Sequence, residues 1–292
     1  MRILVSGGAG FIGSHIVDAL VEEHEVFILD NFSTGKLENL NPKAHLIEGD
    51  IRDFNFDTLG EVNVIFHTAA LARIQPSIKN PSESNMTNVY GSLRVFNYAR
   101  RCGAKVVFCG SSSVYGLEES FIKPIKETDP TTPKSPYALD KLVCEKYLEL
   151  FAQLYGLKYT ILRYFNVYGE RQLVDGAYAT VIGIFLKQLK DGQPFTIVGD
   201  GNQRRDFTYV KDVVKANLLV GFSDVTGTFN IGTGTNLSVN ELADLIDKKH
   251  PRVHLPERQG EAREVLADIT KALALGWKPT INIQEWITNS QF

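Results

Sequence analysis

The sequence predicts an α/β fold: a doubly wound parallel sheet with a smaller C-terminal lobe interleaved with it. Through the first 170 residues, short apolar runs alternate with stretches of helical periodicity. A glycine-rich segment, Gly7–Gly13, joins the first run to the first helix. After Gly169 the pattern becomes longer and less regular. Repeated β-α-β alternation predicts parallel strands whose carboxyl ends bind ligands.

The elements of the first part follow in order from these patterns. Ile12, Ile16 and Leu20 recur at helical spacing and predict a helix after the glycine-rich segment. Further helices are expected near Asn88–Arg101 and over Tyr137–Tyr155, the second after Pro136 at its N-terminal edge. The predicted strands are Ile3–Val5, Val26–Leu29, His45–Ile47, Val64–His67, Val106–Cys109 and Thr160–Arg163.

The second part is expected to contain fewer regular elements. It should have a helix around Ile182–Lys190, strands Phe195–Val198 and Phe229–Ile231, and a helix from the N-cap residue Ser238 through Ile246. No linker rich in proline or serine separates the two parts. The second part is therefore predicted to be a lobe interleaved with the sheet.

Composition excludes several classes of partner. The chain has 292 residues, 43% hydrophobic and 22% charged, with a net charge of −3. No overall basic field attracts nucleic acid or a membrane surface, and no apolar run is long enough to cross a bilayer. Three cysteines without CxxC spacing, and a strand that follows Met1-Arg2 directly, predict buried reduced thiols in a cytoplasmic protein. Of the six histidines, only His250 and His254 stand at HxxxH spacing, and no metal site is predicted.

The glycine-rich segment predicts a dinucleotide site. Gly7, Gly10 and Gly13 allow a tight turn and a close approach of a pyrophosphate to the helix N-terminus. Asp30 ends the second predicted strand, where a carboxylate accepts hydrogen bonds from the adenosine ribose and repels a 2′-phosphate. NAD is therefore favoured over NADP. Asp50-Ile51 could hold the adenine amine, although a turn or N-cap aspartate explains Asp50 nearly as well.

A tyrosine and a lysine four residues apart predict the chemistry. On a helix, Tyr137 and Lys141 share one face, about 5–6 Å apart at Cβ. An ammonium beside a phenol favours the phenolate, which is a base for an alcohol that loses hydride to a dinucleotide. Upstream, Ser111 begins the cluster Ser111-Ser112-Ser113-Val114-Tyr115-Gly116.

Together these motifs resemble the extended short-chain dehydrogenase/reductase family, and within it the nucleotide-sugar epimerases of the UDP-glucose (UDP-galactose) 4-epimerase type. The resemblance runs from Met1 to about Trp286. Its other motifs are His67-Thr68-Ala69-Ala70, Asn88-Val89-Tyr90-Gly91-Ser92, Leu162-Arg163-Tyr164-Phe165-Asn166-Val167-Tyr168-Gly169 and Arg205-Asp206-Phe207-Thr208-Tyr209-Val210. It implies a Rossmann NAD-binding domain over 1–170, to which about 205–235 returns, and a nucleotide-sugar lobe mainly over 171–292.

The resemblance also implies roles for individual residues. The catalytic residues are Tyr137 as the base, Lys141 as its partner and Ser111 as a hydrogen-bonding group for the reacting hydroxyl. The NAD-binding residues are Gly7, Gly10, Phe11, Ile12, Gly13, Asp30, Asn31, Ser33, Thr34, Gly35, Asp50, Ile51, Ala69, Ala70, Tyr137 and Lys141. The UDP-sugar residues are Ser111, Asn166, Thr180, Val181, Arg205, Arg258 and Val265. A cytoplasmic homodimer that acts in galactose metabolism is implied as well.

The substrate is less constrained than the cofactor. Some relatives have a bulky tyrosine where this chain has Val265, so a small residue there leads us to hypothesise that 2-acetamido sugars are accepted. Ser112 and Ser113 stand where dehydratases carry acidic residues, which disfavours dehydration. A UDP-uronic acid epimerase remains an alternative; it would need an extra cation or hydroxyl cluster near the sugar C6, for which Arg73 and Thr180 are the candidates. A third possibility is a catalytically silent NAD-binding regulator, although such proteins commonly lose the tyrosine–lysine pair.

Overall fold

The computed structural model describes residues 1–116, 124–176, 179–258 and 262–289. Elements are numbered along the chain. The helices are α1 (Phe11–Leu20), α2 (Ile74–Lys79), α3 (Pro81–Asn85), α4 (Ser92–Cys102), α5 (Pro136–Tyr155), α6 (Val181–Lys190), α7 (Val210–Gly221), α8 (Val239–Asp247), α9 (Thr270–Ala274) and α10 (Ile283–Asn289). A π-helical segment, Met86–Gly91, leads directly into α4.

Seven parallel strands form the central sheet. They are β1 (Arg2–Ser6), β2 (Glu25–Asp30), β3 (His45–Glu48), β4 (Val64–His67), β5 (Lys105–Ser111), β6 (Tyr159–Tyr164) and β11 (Gly227–Ile231). Their order across the sheet is β11-β6-β5-β4-β1-β2-β3. The order reverses between β1 and β4, which is the switch point where such sheets bind ligands. The predicted doubly wound α/β fold is therefore confirmed.

The remaining strands form three two-stranded sheets. β8 (Phe195–Val198) pairs with β13 (Arg252–Leu255) in parallel. The others have two residues each: β7 (Val167–Tyr168), β9 (Arg204–Arg205), β10 (Thr208–Tyr209) and β12 (Leu237–Ser238). β11 joins the central sheet although it follows β8 in sequence, so the chain crosses between the two parts. The domain limits of 1–170 and 171–292 stay a prediction.

Apolar layers cover both faces of the central sheet. One contains Ile16, Val17, Val213 and Val220 from α1 and α7. The other contains Val95, Phe96, Leu148 and Phe151 from α4 and α5. A third cluster lies under the second part and includes Phe185, Phe195, Leu242 and Trp286. Burial on both faces explains why the strands other than β3 read as continuous apolar runs.

The prediction that all three cysteines are buried is wrong for two of them. Cys144 on α5 is buried, but Cys102 and Cys109 are only partly buried, and all three are free thiols. Cys102 ends α4, where the chain turns at the surface. Cys109 lies on β5 and lines a large cavity at the carboxyl ends of the strands.

Candidate active site

A cavity of about 1210 Å³ lies at the carboxyl ends of the central strands. It exceeds the roughly 300–1,000 Å³ of a pocket for one small ligand, so it can hold a cofactor and a substrate together. Every predicted site residue except Gly35 lines it: Gly7, Gly10, Phe11, Ile12, Gly13, Asp30, Asn31, Ser33, Thr34, Asp50, Ile51, Ala69, Ala70, Ser111, Tyr137, Lys141, Asn166, Thr180, Val181, Arg205, Arg258 and Val265.

The glycine-rich segment forms the turn between β1 and α1. Gly7 has φ +77°, and a Cβ at Gly13 would lie 2.1 Å from the carbonyl oxygen of Gly7. Only glycine therefore permits this closure of the turn on the helix. Gly10 is the N-cap of α1 and provides no side-chain cap, so amides of the first turn are left for a ligand. This arrangement suits an anionic pyrophosphate.

Asp30 lies at the end of β2 with its carboxylate only partly occupied. Oδ2 accepts a hydrogen bond from the Ala9 amide at 2.9 Å, and Oδ1 accepts one from the Phe32 amide at 2.8 Å. Each oxygen keeps a second lone pair, as a vicinal ribose diol requires. Gly35 is not part of the cavity wall; a Cβ there would lie 2.8 Å from Asp30 Oδ1, so this glycine leaves room for the carboxylate.

Asp50 differs from Asp30 because its carboxylate is already saturated. Arg52 donates three hydrogen bonds to it, through its amide, Nε and Nη2, and Asn31 Nδ2 donates a fourth at 2.7 Å. Hydrogen bonds from the Arg52 side chain hold the pKa of Asp50 down to about 2. A carboxylate has about four acceptor sites. To bind the adenine amine, Asp50 would first have to release a donor, for which exposed Asn31 is the best placed.

Tyr137 and Lys141 lie on the first turns of α5, which begins at Pro136 after the N-cap Ser135. The buried Lys141 Nζ donates to the Cys109 carbonyl oxygen at 2.7 Å and lies 6.0 Å from the centre of the Tyr137 ring. Burial acts to lower the pKa of Lys141, but the neighbouring Tyr137, Cys109, Cys144 and Glu145 together raise it. The ammonium is therefore charged at neutral pH, beside the phenol.

Ser111 ends β5, and a single 3-10 turn, Ser112–Tyr115, follows it. Ser111 Oγ accepts a hydrogen bond from the Ser113 amide at 3.2 Å and lies 2.8 Å from Ser113 Oγ. Ser113 also lines the cavity. The turn thus presents two linked hydroxyls to a ligand, of which the sequence had suggested only the first.

His67 ends β4 behind this site and is neutral. Ser92 Oγ donates to the Asn88 carbonyl oxygen at 2.5 Å, so it can only accept from His67 Nε2, 2.7 Å away. His67 Nδ1 must then accept from Ser6 Oγ at 2.6 Å. Burial, reinforced by the charge of Lys141, lowers the pKa of His67 to about 3. This chain of hydrogen bonds ties β1 and β4 to α4 below the cavity floor.

The other end of the cavity is formed by the second part of the chain. Asn166 follows β6 with φ +29°, a strained value for a residue other than glycine, and its Nδ2 donates to the Asp206 carbonyl oxygen. Arg205 on β9 and Arg258 both line this end, and residues 259–261 after Arg258 lie outside the described residues. Val265 is 9% exposed and lines the wall.

Thr180 is first of all a helix cap. Its Oγ1 accepts a hydrogen bond from the Gly183 amide at the start of α6 and donates to Gln172 Oε1 at 2.8 Å. This hydroxyl has no proton left to donate to a uronate carboxylate. Thr180 is therefore a poor candidate for the residue that would recognise C6 in a UDP-uronic acid epimerase. Thr180 and Val181 nevertheless border the cavity with their backbone at the N-terminus of α6.

The structure adds Thr87 to the residues found from sequence. Thr87 lines the cavity, is buried, and its Oγ1 finds no hydrogen-bond partner within the described ranges. Such a group costs free energy unless a ligand or water satisfies it. It lies in the π-helical segment, and π-bulges are frequent at functional sites. Sequence reasoning missed Thr87 because the sequence does not reveal that this segment is π-helical.

Among the described residues, no group of three or more histidine, cysteine, aspartate or glutamate side chains is placed to hold a metal ion. No helix among them is long and apolar enough to cross a membrane.

Comparison with known proteins identifies the family. The model of the NAD-dependent epimerase/dehydratase family matches residues 3–232. The chain belongs to this family. NAD is its cofactor, as Asp30 and the glycine turn had led us to predict, and the predicted membership of the extended short-chain dehydrogenase/reductases is confirmed.

Three relatives narrow the activity to nucleotide-sugar epimerases. A Methanocaldococcus jannaschii protein, provisionally named UDP-glucose 4-epimerase, is 46% identical over 98% of this chain and 95% of its own. The Thermotoga maritima UDP-glucose 4-epimerase structure with UDP-glucose is 41% identical, with a TM-score of 0.93 over 98% and 96% of the two chains. The Methanobrevibacter ruminantium UDP-N-acetylglucosamine 4-epimerase structure, with UDP-N-acetylmuramic acid, is 38% identical, with a TM-score of 0.93 over 98% and 97%.

Proposed function

We propose that the protein inverts C4 of a UDP-hexose, UDP-glucose or UDP-galactose, through a transient 4-keto sugar. The observation that carries this proposal is the placement of Tyr137, Lys141 and Ser111 on one cavity large enough for NAD and a nucleotide sugar. Among the described residues, the carboxylates that line it are Asp30 and Asp50. Neither carboxylate is next to Ser111 in the sequence, where Ser112 and Ser113 follow instead. The acid needed to eliminate water is therefore not found beside the serine, and epimerisation is favoured over dehydration.

Each residue has a defined task in this reaction. Gly7, Gly10, Gly13 and Asp30 would hold NAD, which when bound would supply the reversible hydride-accepting chemistry that inversion at C4 requires. Tyr137 takes the proton of the 4-hydroxyl and gives it back after the keto sugar has turned. Lys141 stabilises the phenolate through its charge, and Ser111 donates to the oxygen as it becomes a carbonyl. Protons and hydride are conserved over the cycle.

The cofactor roles in this proposal follow the geometry of the cavity. Gly7, Gly10, Phe11, Ile12 and Gly13 would hold the pyrophosphate at the start of α1. Asp30 would accept from the adenosine ribose, with Asn31, Ser33, Thr34 and Gly35 around it. The adenine would lie near Asp50 and Ile51, and Ala69, Ala70 and Thr87 would border the cofactor.

At the substrate end, arginines would bind the diphosphate. Arg205 and Arg258 are suited to bidentate phosphate contacts, with Asn166, Thr180 and Val181 beside them. Val265 is a small apolar side chain in the cavity wall, so a 2-acetamido group would fit beside it. Activity on UDP-N-acetylglucosamine is therefore part of the proposal. The cavity-lining Arg73 supports a UDP-glucuronate 4-epimerase as the second candidate.

A substrate panel tests the proposal. Purified protein with NAD is incubated with UDP-glucose, UDP-N-acetylglucosamine and UDP-glucuronate, and the products are separated. Formation of UDP-galactose supports the leading assignment, and turnover of UDP-glucuronate alone would replace it with the second. Bound NAD without turnover of any of the three would point instead to a regulator on this fold.

The proposal extends to a cytoplasmic homodimer. Apolar side chains that are at least 40% exposed lie on α5 and next to α4: Leu139, Leu150, Leu154, Tyr155, Met86 and Tyr90. A second copy would cover them. Size-exclusion chromatography with light scattering tests this, and a monomer at micromolar concentration would refute it.

A further inference from the structure

Ser77 is a buried residue of α2 that makes a direct contact with the backbone of Tyr137. The Tyr137 amide donates to Ser77 Oγ at 3.1 Å. Ser77 Oγ in turn donates to the Ile74 carbonyl oxygen at 2.7 Å, so its own proton is committed within α2. Ser77 is 3% exposed. The serine therefore accepts from the tyrosine in one fixed orientation.

The contact satisfies an amide that α5 cannot satisfy itself. The first turn of a helix leaves its amides without intrahelical acceptors. Ser135 Oγ accepts from Ala138, and the Ser135 carbonyl oxygen accepts from Leu139. Pro136 has no amide proton, which leaves the Tyr137 amide for an acceptor from another element. Ser77 is that acceptor.

A second contact fixes the same turn of α5 from the neighbouring helix. Ser84 Oγ on α3 donates to Asp140 Oδ2 at 2.6 Å. Both residues are buried, and Asp140 lies between Tyr137 and Lys141 in sequence. The α2–α3 segment thus holds α5 at the amide of Tyr137 and again at Asp140. These two points limit rotation and sliding of the turn that carries the catalytic pair.

The same segment borders the cavity. Ile74, Gln75 and Pro76 of α2 line its wall, whereas Ser77 does not. A ligand packed against α2 and the backbone of Tyr137 are therefore connected through a single six-residue helix. We propose that Ser77 is a positioning residue that fixes Tyr137, through its amide, relative to the substrate bound against α2. This rests on the proposed function of Tyr137 as the base.

The test compares Ser77→Ala with Ser77→Thr, which keeps the acceptor, and with Asn282→Ala. The last variant removes the side-chain acceptor of the Glu285 amide at the start of α10, a helix that packs in the apolar cluster under the second part of the chain. Hydrogen exchange of the Tyr137 amide, kcat and KM for UDP-glucose epimerisation, and the melting temperature are measured for each.

We expect Ser77→Ala to speed exchange at the Tyr137 amide about tenfold and to lower kcat about 10–100-fold with little change in KM. Ser77→Thr should restore both, and Asn282→Ala should change neither. Unchanged exchange, an unchanged kcat, or a loss of activity confined to KM would overturn the inference. If the wild-type protein turns over no UDP-sugar, the proposed function fails; the exchange measurement alone then decides whether Ser77 fixes the Tyr137 amide.

Discussion

Lys141 Nζ lies 2.7 Å from the carbonyl oxygen of Cys109, on the strand that ends at Ser111. This hydrogen bond joins the helix that carries the tyrosine to the strand that carries the serine. It also places a buried positive charge between them, because the surrounding groups raise the pKa of Lys141.

Replacing Lys141 by methionine should remove the charge and keep most of the buried volume. We expect kcat to fall about 10²–10⁴-fold, because the phenolate of Tyr137 loses its stabilising neighbour. Steady-state kinetics with UDP-glucose measures this. Lys146→Met, on the exposed side of the same helix, is the control and should keep wild-type turnover. A Lys141→Met enzyme within threefold of wild type would remove the lysine from the mechanism.

Asp30 should set the preference for NAD. Its neighbour across the sheet is Glu48, which pairs with it in register at the end of β3 and is exposed. Asp30→Asn should weaken NAD binding about tenfold and reduce discrimination against NADP, because a charged acceptor for the ribose is lost. Glu48→Gln makes the same charge change on the adjacent strand. Titration calorimetry with both cofactors should find that only Asp30→Asn alters the ratio of the dissociation constants for NADP and NAD.

Val265 should control access of N-acetylated sugars. Val265→Tyr is expected to lower kcat/KM for UDP-N-acetylglucosamine about 10–200-fold more than for UDP-glucose, because the larger side chain fills space needed by the acetamido group. Val265→Ala keeps the space open and should preserve the ratio of the two substrates. Equal losses on both substrates after Val265→Tyr would mean that this residue does not select between them.

His67 should make the fold sensitive to acid. Burial lowers the pKa of His67 to about 3, below its usual 6.5. Between these values the unfolded chain binds a proton at this residue and the folded protein does not, so the free energy of unfolding falls as pH falls. The loss from this residue should be about 2 kcal/mol between pH 7 and pH 5.

Urea denaturation of the wild type and of His67→Gln at the two pH values measures this term. The variant lacks the titrating group, so its stability should decline less on acidification by that amount. Parallel declines in the two proteins would show that His67 does not carry the pH dependence.

The sequence was sufficient for the sheet and for the outline of the site. Each predicted strand of the central sheet lies within an observed one; β6, for example, extends Thr160–Arg163 by one residue at each end. Except for the edge strand β3, which is mostly exposed, these strands are buried on both faces, so their apolar runs carry a strong signal. The tyrosine–lysine pair was recognisable because helical spacing and chemistry coincide in it.

The segment from 74 to 91 was not predicted in detail. Its helices α2 and α3 have only six and five residues, which is too short for periodicity to be read, and only Asn80 separates them. The contact of Ser77 with Tyr137 joins residues 60 positions apart, and no local pattern encodes it. The saturation of Asp50 likewise depends on how Arg52 folds back on it.

The most direct test of the account is the Tyr137→Phe enzyme, loaded with NAD and assayed for interconversion of UDP-glucose and UDP-galactose by product separation. The change deletes one oxygen and leaves the ring, so the cofactor and the UDP-sugar should still bind. We predict that kcat falls about 10²–10⁴-fold because the proton of the 4-hydroxyl loses its acceptor. Wild-type turnover by this variant would contradict the assignment of Tyr137 as the catalytic base.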